Sequence, residues 1–253
     1  MGQGACTRGH SFTSSSGSRS DSWHSPERSR QPGCMGTVVD QGQTRVFERS
    51  AVMAAPAFDP TARFDPLVDL DGLWTPQLAD RYLPIPGMPP AKYECLDGKL
   101  LVSPYEGTAN AYAADELRHL LRDPARSKGG AAYTTINVQL GQQRWIEPDF
   151  VVLDQPGRGR VWVPAENVLL VGECVSPSSR KNDRIDKPAL CAQAGIPYFM
   201  RVEVSYARQR VEVELLRLVD GEYRDQAKAL DGQRFETDLP FELSFDPGEL
   251  LEP

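Results

Sequence analysis

The chain has 253 residues and 28.0 kDa, with 28 Lys and Arg against 35 Asp and Glu for a formal net charge of −7. It is 40% hydrophobic, 25% charged and 8% aromatic, the balance of a globular domain of moderate size with a tail. No run approaches the roughly 18–20 apolar residues of a membrane span, and the acidic balance disfavours a histone-like polybasic binder.

Residues 1–52 read as a disordered tail. Nine Ser lie between Ser11 and Ser29, mixed with Gly, Arg, Gln and Pro, and so little apolar surface cannot offset the entropy of ordering. His10 and His24 fall here and receive no metal role. No apolar h-region follows the basic residues, so no secretory signal is expected; Met35 and Met53 are alternative translation starts. Residues 1–52 hold six of the 28 basic and four of the 35 acidic side chains, which leaves 22 against 31 and a net of −9 for the body. The five cysteines, at 6, 34, 95, 174 and 191, form no CxxC pair and fit no zinc-ligand spacing. They read as reduced thiols of a cytoplasmic protein.

Residues 53–91 read as a Pro-rich wrapping arm. Thr75-Pro76, a capping hydroxyl before a proline at the first helical position, predicts a short helix to about Tyr82. The segment from Tyr82 to Pro90 is expected to be extended. The organised domain is placed at 92–253. Asp97-Gly98 predicts a tight turn into a strand Lys99–Ser103. Thr108 to Arg122 carries Ala113, Leu117, Leu120 and Leu121 on one helical face, and Asp123-Pro124 is expected to end it. Tyr133 to Leu140 alternates like a single strand, turns at Gly141-Gln142-Gln143 into Arg144–Ile146 and leads on to Asp149–Asp154, as a β-hairpin.

Val168–Val175 is nearly continuously apolar, the pattern of a strand covered on both faces. After the break at Ser176-Pro177, a helical segment is expected from about Arg180 to Ala194, with Pro188 kinking it or opening its second half and Gly195 capping it. Tyr198–Val204, Val211–Leu218 and Phe241–Phe245 are further strands, with a turn at Asp220-Gly221. The order predicts one α/β domain built on a mixed sheet flanked by helices.

Two carboxylates occupy costly positions. Asp149 opens the strand Phe150–Leu153, and Glu173 interrupts the apolar run ending at Val175. On neighbouring strands they would approach each other, and two like charges about 4 Å apart repel by ~4 kcal/mol at an effective dielectric near 20. A divalent cation relieves that repulsion, and Mg²⁺ takes carboxylate oxygens while keeping positions for water and phosphate. Lys187 follows Glu173 by fourteen positions and shares a helix face with Asp183, which would orient its amine. Two acids and a lysine around a metal suit phosphodiester hydrolysis. Plainer readings stand beside these. Asp149 after Pro148 would simply end a turn, Glu173 would pair with Arg144, Lys187 would be solvated, and Glu94 would be a surface or turn carboxylate. Cys174 should point away from Glu173 into the core, His119 should sit at the surface or half-buried, and Glu212 and Glu214 should form a solvated strand face.

From Tyr93 onward the chain resembles the Uma-two family of restriction endonucleases, within the PD-(D/E)XK nuclease superfamily. The resemblance is carried by Tyr93-Glu94-Cys95-Leu96-Asp97-Gly98, Glu147-Pro148-Asp149-Phe150-Val151-Val152 and Val171-Gly172-Glu173-Cys174-Val175-Ser176-Pro177-Ser178. Asp183 with Lys187, and Ala194-Gly195-Ile196-Pro197-Tyr198-Phe199, extend it. It implies a restriction-endonuclease-like fold, with Asp149 and Glu173 as metal ligands and Glu94 joining the metal shell through water. Val175 holds the place of the superfamily lysine, which implies its migration to Lys187. Asn110 stands where the family often has a His.

The expected function is Mg²⁺-dependent hydrolysis of phosphodiester bonds in DNA, with Mn²⁺ as a substitute. A non-catalytic binding module on the same fold, and an enzyme acting on a small phosphorylated substrate, remain alternatives. A homodimer would be compatible with pairing at an edge strand Val211–Leu218. No membrane partner is expected.

Overall fold

The structure is a computed structural model that describes residues 63–176 and 181–253, all within the unit Asp59–Pro253. The tail 1–52, with His10, His24, Cys6, Cys34 and Met35, lies outside the described residues, as do residues 53–62 of the arm with Met53. Among them, no helix is long and apolar enough to cross a membrane.

The arm contributes α1 (Pro66–Asp69) and α2 (Pro76–Tyr82), each opened by a capping side chain with proline behind it. Thr75 Oγ1 accepts from the Leu78 amide at 3.3 Å, the cap its hydroxyl predicts. The arm then packs back on the domain. Trp74 is fully buried with Ala79, Ile85, Cys95 and Trp145, and its amide bonds the Gly98 carbonyl at 3.0 Å. That carbonyl sits in the turn between β1 (Lys92–Leu96) and β2 (Lys99–Ser103). Asp97 and Gly98 hold φ of 53° and 78° there, as a two-residue hairpin turn requires. A Cβ on Gly98 would lie 2.3 Å from the Gly72 carbonyl oxygen.

Helix α3 (Thr108–Ser127) outruns its expected end at Asp123-Pro124, with Pro124 inside it. The apolar stripe explains the extension. Ala113, Leu117 and Leu121 continue into Ala125, which is also buried, and this burial offsets the amide bond that Pro124 cannot make.

The single strand expected from Tyr133 to Leu140 is two: β3 (Ala131–Tyr133) and β4 (Asn137–Gly141), in different sheets. Thr135, at φ 55°, turns the chain between them, so the period-2 pattern spans a corner. β5 (Arg144–Ile146) completes a bulged hairpin with β4, while β6 (Phe150–Leu153) leaves for the other sheet. β7 (Trp162–Pro164) precedes the apolar β8 (Val168–Val175). Beyond the undescribed residues 177–180 come a π-helical turn, Asn182–Asp186, and α4 (Lys187–Gln193), with Pro188 in its first turn. β9 (Tyr198–Ser205), β10 (Arg210–Val219), β11 (Glu222–Leu230), β12 (Phe235–Thr237) and β13 (Leu243–Phe245) follow.

The architecture is α/β and its sheets are mixed, but the strands divide between two main sheets. One runs β2-β1-β5-β4-β7, the other β11-β10-β9-β8-β6-β3, and β12-β13 form a small ribbon. β8 and β9 are parallel and joined through α4. On one face of the six-stranded sheet, α3 and the C-terminal ribbon cover Phe150, Leu170, Met200 and Val213. On the other, Val151, Val171 and Phe199 pack on Cys191 of α4 and on Val138 and Ile146 of the five-stranded sheet. The predicted strand at Val211–Leu218 is no edge: β11 pairs along it, so β10 is interior and offers no free edge to a second copy. Its Glu214 is buried against Arg201, so the expected solvated face holds only at Glu212, which is half-buried beside Lys228.

Candidate active site

β6 and β8 pair antiparallel with Phe150 opposite Gly172, which sets Asp149 across from Glu173. The fit is close: a Cβ on Gly172 would lie 2.0 Å from the Phe150 ring, so the missing side chain lets the ring lie across β8 on the α3 face, while the two acids project from the other face. Asp149 is 6% exposed and Glu173 1%. Asp149 Oδ2 accepts the Cys174 amide at 2.7 Å, and Asn110, in the first turn of α3, donates to the Cys174 carbonyl at 3.0 Å. Cys174 itself faces the α3 core, as alternation predicts.

Two amines enter the site. Lys187 opens α4, with Nζ 2.9 Å from Glu173 Oε1, 3.0 Å from Glu94 Oε1 and 3.5 Å from Asp183 Oδ1. Lys92 of β1 places its Nζ 2.5 Å from Asp149 Oδ1 and 2.5 Å from Glu106 Oε1. The centre is therefore assembled from both sheets, with Lys92 and Glu94 from one, Asp149 and Glu173 from the other. A cavity of about 270 Å³ opens between them, rimmed by the segment Ser103–Gly107.

Five carboxyl groups (Glu94, Glu106, Asp149, Glu173 and Asp183) line this cavity against two amines. Burial strips the Glu173 carboxyl of water and holds it well above the ordinary carboxylate range; Lys187 pulls it back, while Asp149, Asp183 and Glu94 push it further up. Burial works against the Lys187 ammonium, but Glu173, Glu94 and Asp183 outweigh it, and the amine sits well above its usual range. Lys92 is likewise raised: burial opposes its charge, and Asp149 followed by Glu173 overcomes that. Burial also raises Glu106, helped by Asp149, and raises Glu147.

The structure brings together Asp149, Glu173, Lys187 and Glu94. The plainer readings of Glu173, Lys187 and Glu94 fail on geometry. Arg144 bonds Asp97 Oδ1 at 2.5 Å and Gln193 Oε1 at 3.1 Å rather than Glu173. Lys187 is 7% exposed, not solvated, and Glu94 is 6% exposed, not a surface carboxylate. His119 is exposed, as expected. Lys92 and Glu106 are additional members. Alternation along Lys92–Leu96 puts Lys92 on the face of Glu94 and signals it from sequence; nothing local signals Glu106.

Among the described residues, no three His, Cys, Asp or Glu side chains form a ready metal cage. Glu94 Oε1 is occupied by the Glu147 amide, at 3.0 Å, and by Lys187. The facing pair Asp149 and Glu173 nevertheless offers the hard oxygens and excess negative charge that suit Mg²⁺, which commonly binds through one or two carboxylates with water and phosphate completing its shell.

The chain belongs to the Uma2 family, described as "Putative restriction endonuclease", whose model matches residues 79–248. Among solved structures it is similar to the crystal structure of a "putative nuclease belonging to DUF820" from Anabaena variabilis ATCC 29413. The identity is 16%, the match covers 68% of this chain and 95% of that one, and the TM-score is 0.47. No curated protein matches the chain.

Proposed function

We propose that the protein is an endonuclease that hydrolyses phosphodiester bonds in DNA with the help of a divalent cation, Mg²⁺ or Mn²⁺. The observation that carries this reading is the facing pair Asp149 and Glu173 on adjacent strands, with Lys187 Nζ 2.9 Å from the latter. Membership of a restriction-endonuclease family supports it. Asp149 and Glu173 would hold the cation, which when bound would polarise the phosphate and lower the pKa of a water. Lys187, kept charged by three acids, steadies the negative charge that develops on the phosphoryl oxygens. Glu94 positions that amine and would join the cation's shell through water. Asn110 and the Cys174 amide fix the end of β8 and, through it, Asp149.

Plasmid cleavage in Mg²⁺ or Mn²⁺, for the parent and Asp149→Ala, tests the reading. Loss of one such electrostatic group should lower the rate about 10²–10³-fold; equal rates would overturn it. The body's net charge of −9 favours one alternative, a non-catalytic binding module without a broad nucleic-acid footprint. That module would show no Mn²⁺ affinity in a calorimetric titration.

A further inference from the structure

Lys92 is 4% exposed on β1, two residues before Glu94 and on the same face of the strand. It and Lys187 divide the carboxyl groups without sharing a direct ion pair: Lys92 serves Asp149 and Glu106, Lys187 serves Glu173, Glu94 and Asp183. Both oxygens of Asp149 are engaged, Oδ2 by the Cys174 amide and Oδ1 by Lys92. A Mg²⁺ ion needs a carboxylate oxygen at about 2.0–2.1 Å, and the Cys174 amide is fixed by its strand. Lys92 is the partner with freedom to give way, since its long side chain already holds a second acid. That acid, Glu106, is one-quarter exposed on the segment between β2 and α3 at the cavity rim.

We propose that Lys92 keeps the cation's place at Asp149 until a divalent ion arrives, and that Glu106 then retains the displaced amine at the cavity wall. The pair thereby sets how tightly the ion binds. The inference rests on the reading of Asp149 as a cation ligand.

Calorimetric titration of Mn²⁺ into the full chain tests it, using the parent, Lys92→Met, Glu106→Gln, the double variant and Asp149→Ala, with thermal melts to verify folding. Lys92→Met removes a competitor and should tighten Mn²⁺ binding about ten-fold or more. Glu106→Gln should loosen it several-fold in the parent, because the amine loses its second partner, and should change nothing in the Lys92→Met background. Binding by Lys92→Met no tighter than the parent's overturns the role of Lys92. Equal loosening by Glu106→Gln in both backgrounds does the same, since a plain lost charge acts that way. If Lys92→Met does not fold, Lys92→Gln gives the same readout. Mn²⁺ binding absent from every variant overturns the cation reading together with this one. Parent binding abolished by Asp149→Ala keeps the cation reading, whatever Lys92 does.

Discussion

Glu173 is an acid in the wrong solvent, 1% exposed, with its carboxyl raised chiefly by burial. A raised carboxyl holds its proton more tightly in the folded chain. Its contribution to stability is therefore complete below the unfolded value of about 4.3 and is lost as pH climbs through the raised one. Glu106 and Glu147 act with the same sign. The raised amines of Lys92 and Lys187 contribute below the unfolded value of about 10.4 and so change little between pH 5 and 8. The protein without metal should lose stability from pH 5 to pH 8. Glu173→Gln, which keeps an acceptor for Lys187 and leaves it Glu94 and Asp183, should lose less. Calorimetric melts check this, each ~1 kcal/mol appearing as about 2–4 °C in a domain of this size; parallel curves for the two proteins would sink it. Saturating Mn²⁺ at about 100 times its Kd should add ~2.7 kcal/mol to the parent and little to the variant. Glu173 was legible because a charge inside an apolar run demands a reason. Glu106 was not, because its meaning comes from Lys92, fourteen residues away on β1.

At the level of elements, the join between β6 and β8 is set by a missing side chain. Gly172→Ala would put a methyl 2.0 Å from the Phe150 ring, and Phe150 is fully buried in the α3 core. The substitution should cost ~1–3 kcal/mol in urea unfolding, and Phe150→Leu in the same chain should recover part of that. Cleavage should fall with it, because the clash strains the strand join that sets Asp149 across from Glu173. A Gly172→Ala variant as stable as the parent would refute the account. The capped α2, the apolar β8 and the helical segment between β8 and β9 follow from caps and patterns visible in the sequence. The corner at Thr135 and the passage of α3 through Pro124 do not. A period-2 alternation continues across a turn without changing, and a proline's local cost says nothing of the core contact that offsets it at Ala125.

Over the whole molecule, a net of −9 outside residues 1–52 leaves the cavity lysines as the natural phosphate contacts. Two such contacts predict a log–log salt slope for duplex binding near −2, at about −0.9 each. A slope steeper than about −5 would mean a basic surface elsewhere. The division into two sheets was hidden from the sequence, since short alternating strands show which face is apolar but not which partner they choose. That division has a consequence for the site. The sheets meet through Ile146, Val138 and Phe199, and they supply different halves of the candidate site. The site therefore depends on the seam: loosening it at Ile146, one residue before the Glu147 amide that holds Glu94, would part the two halves of the site while each sheet kept its own strands.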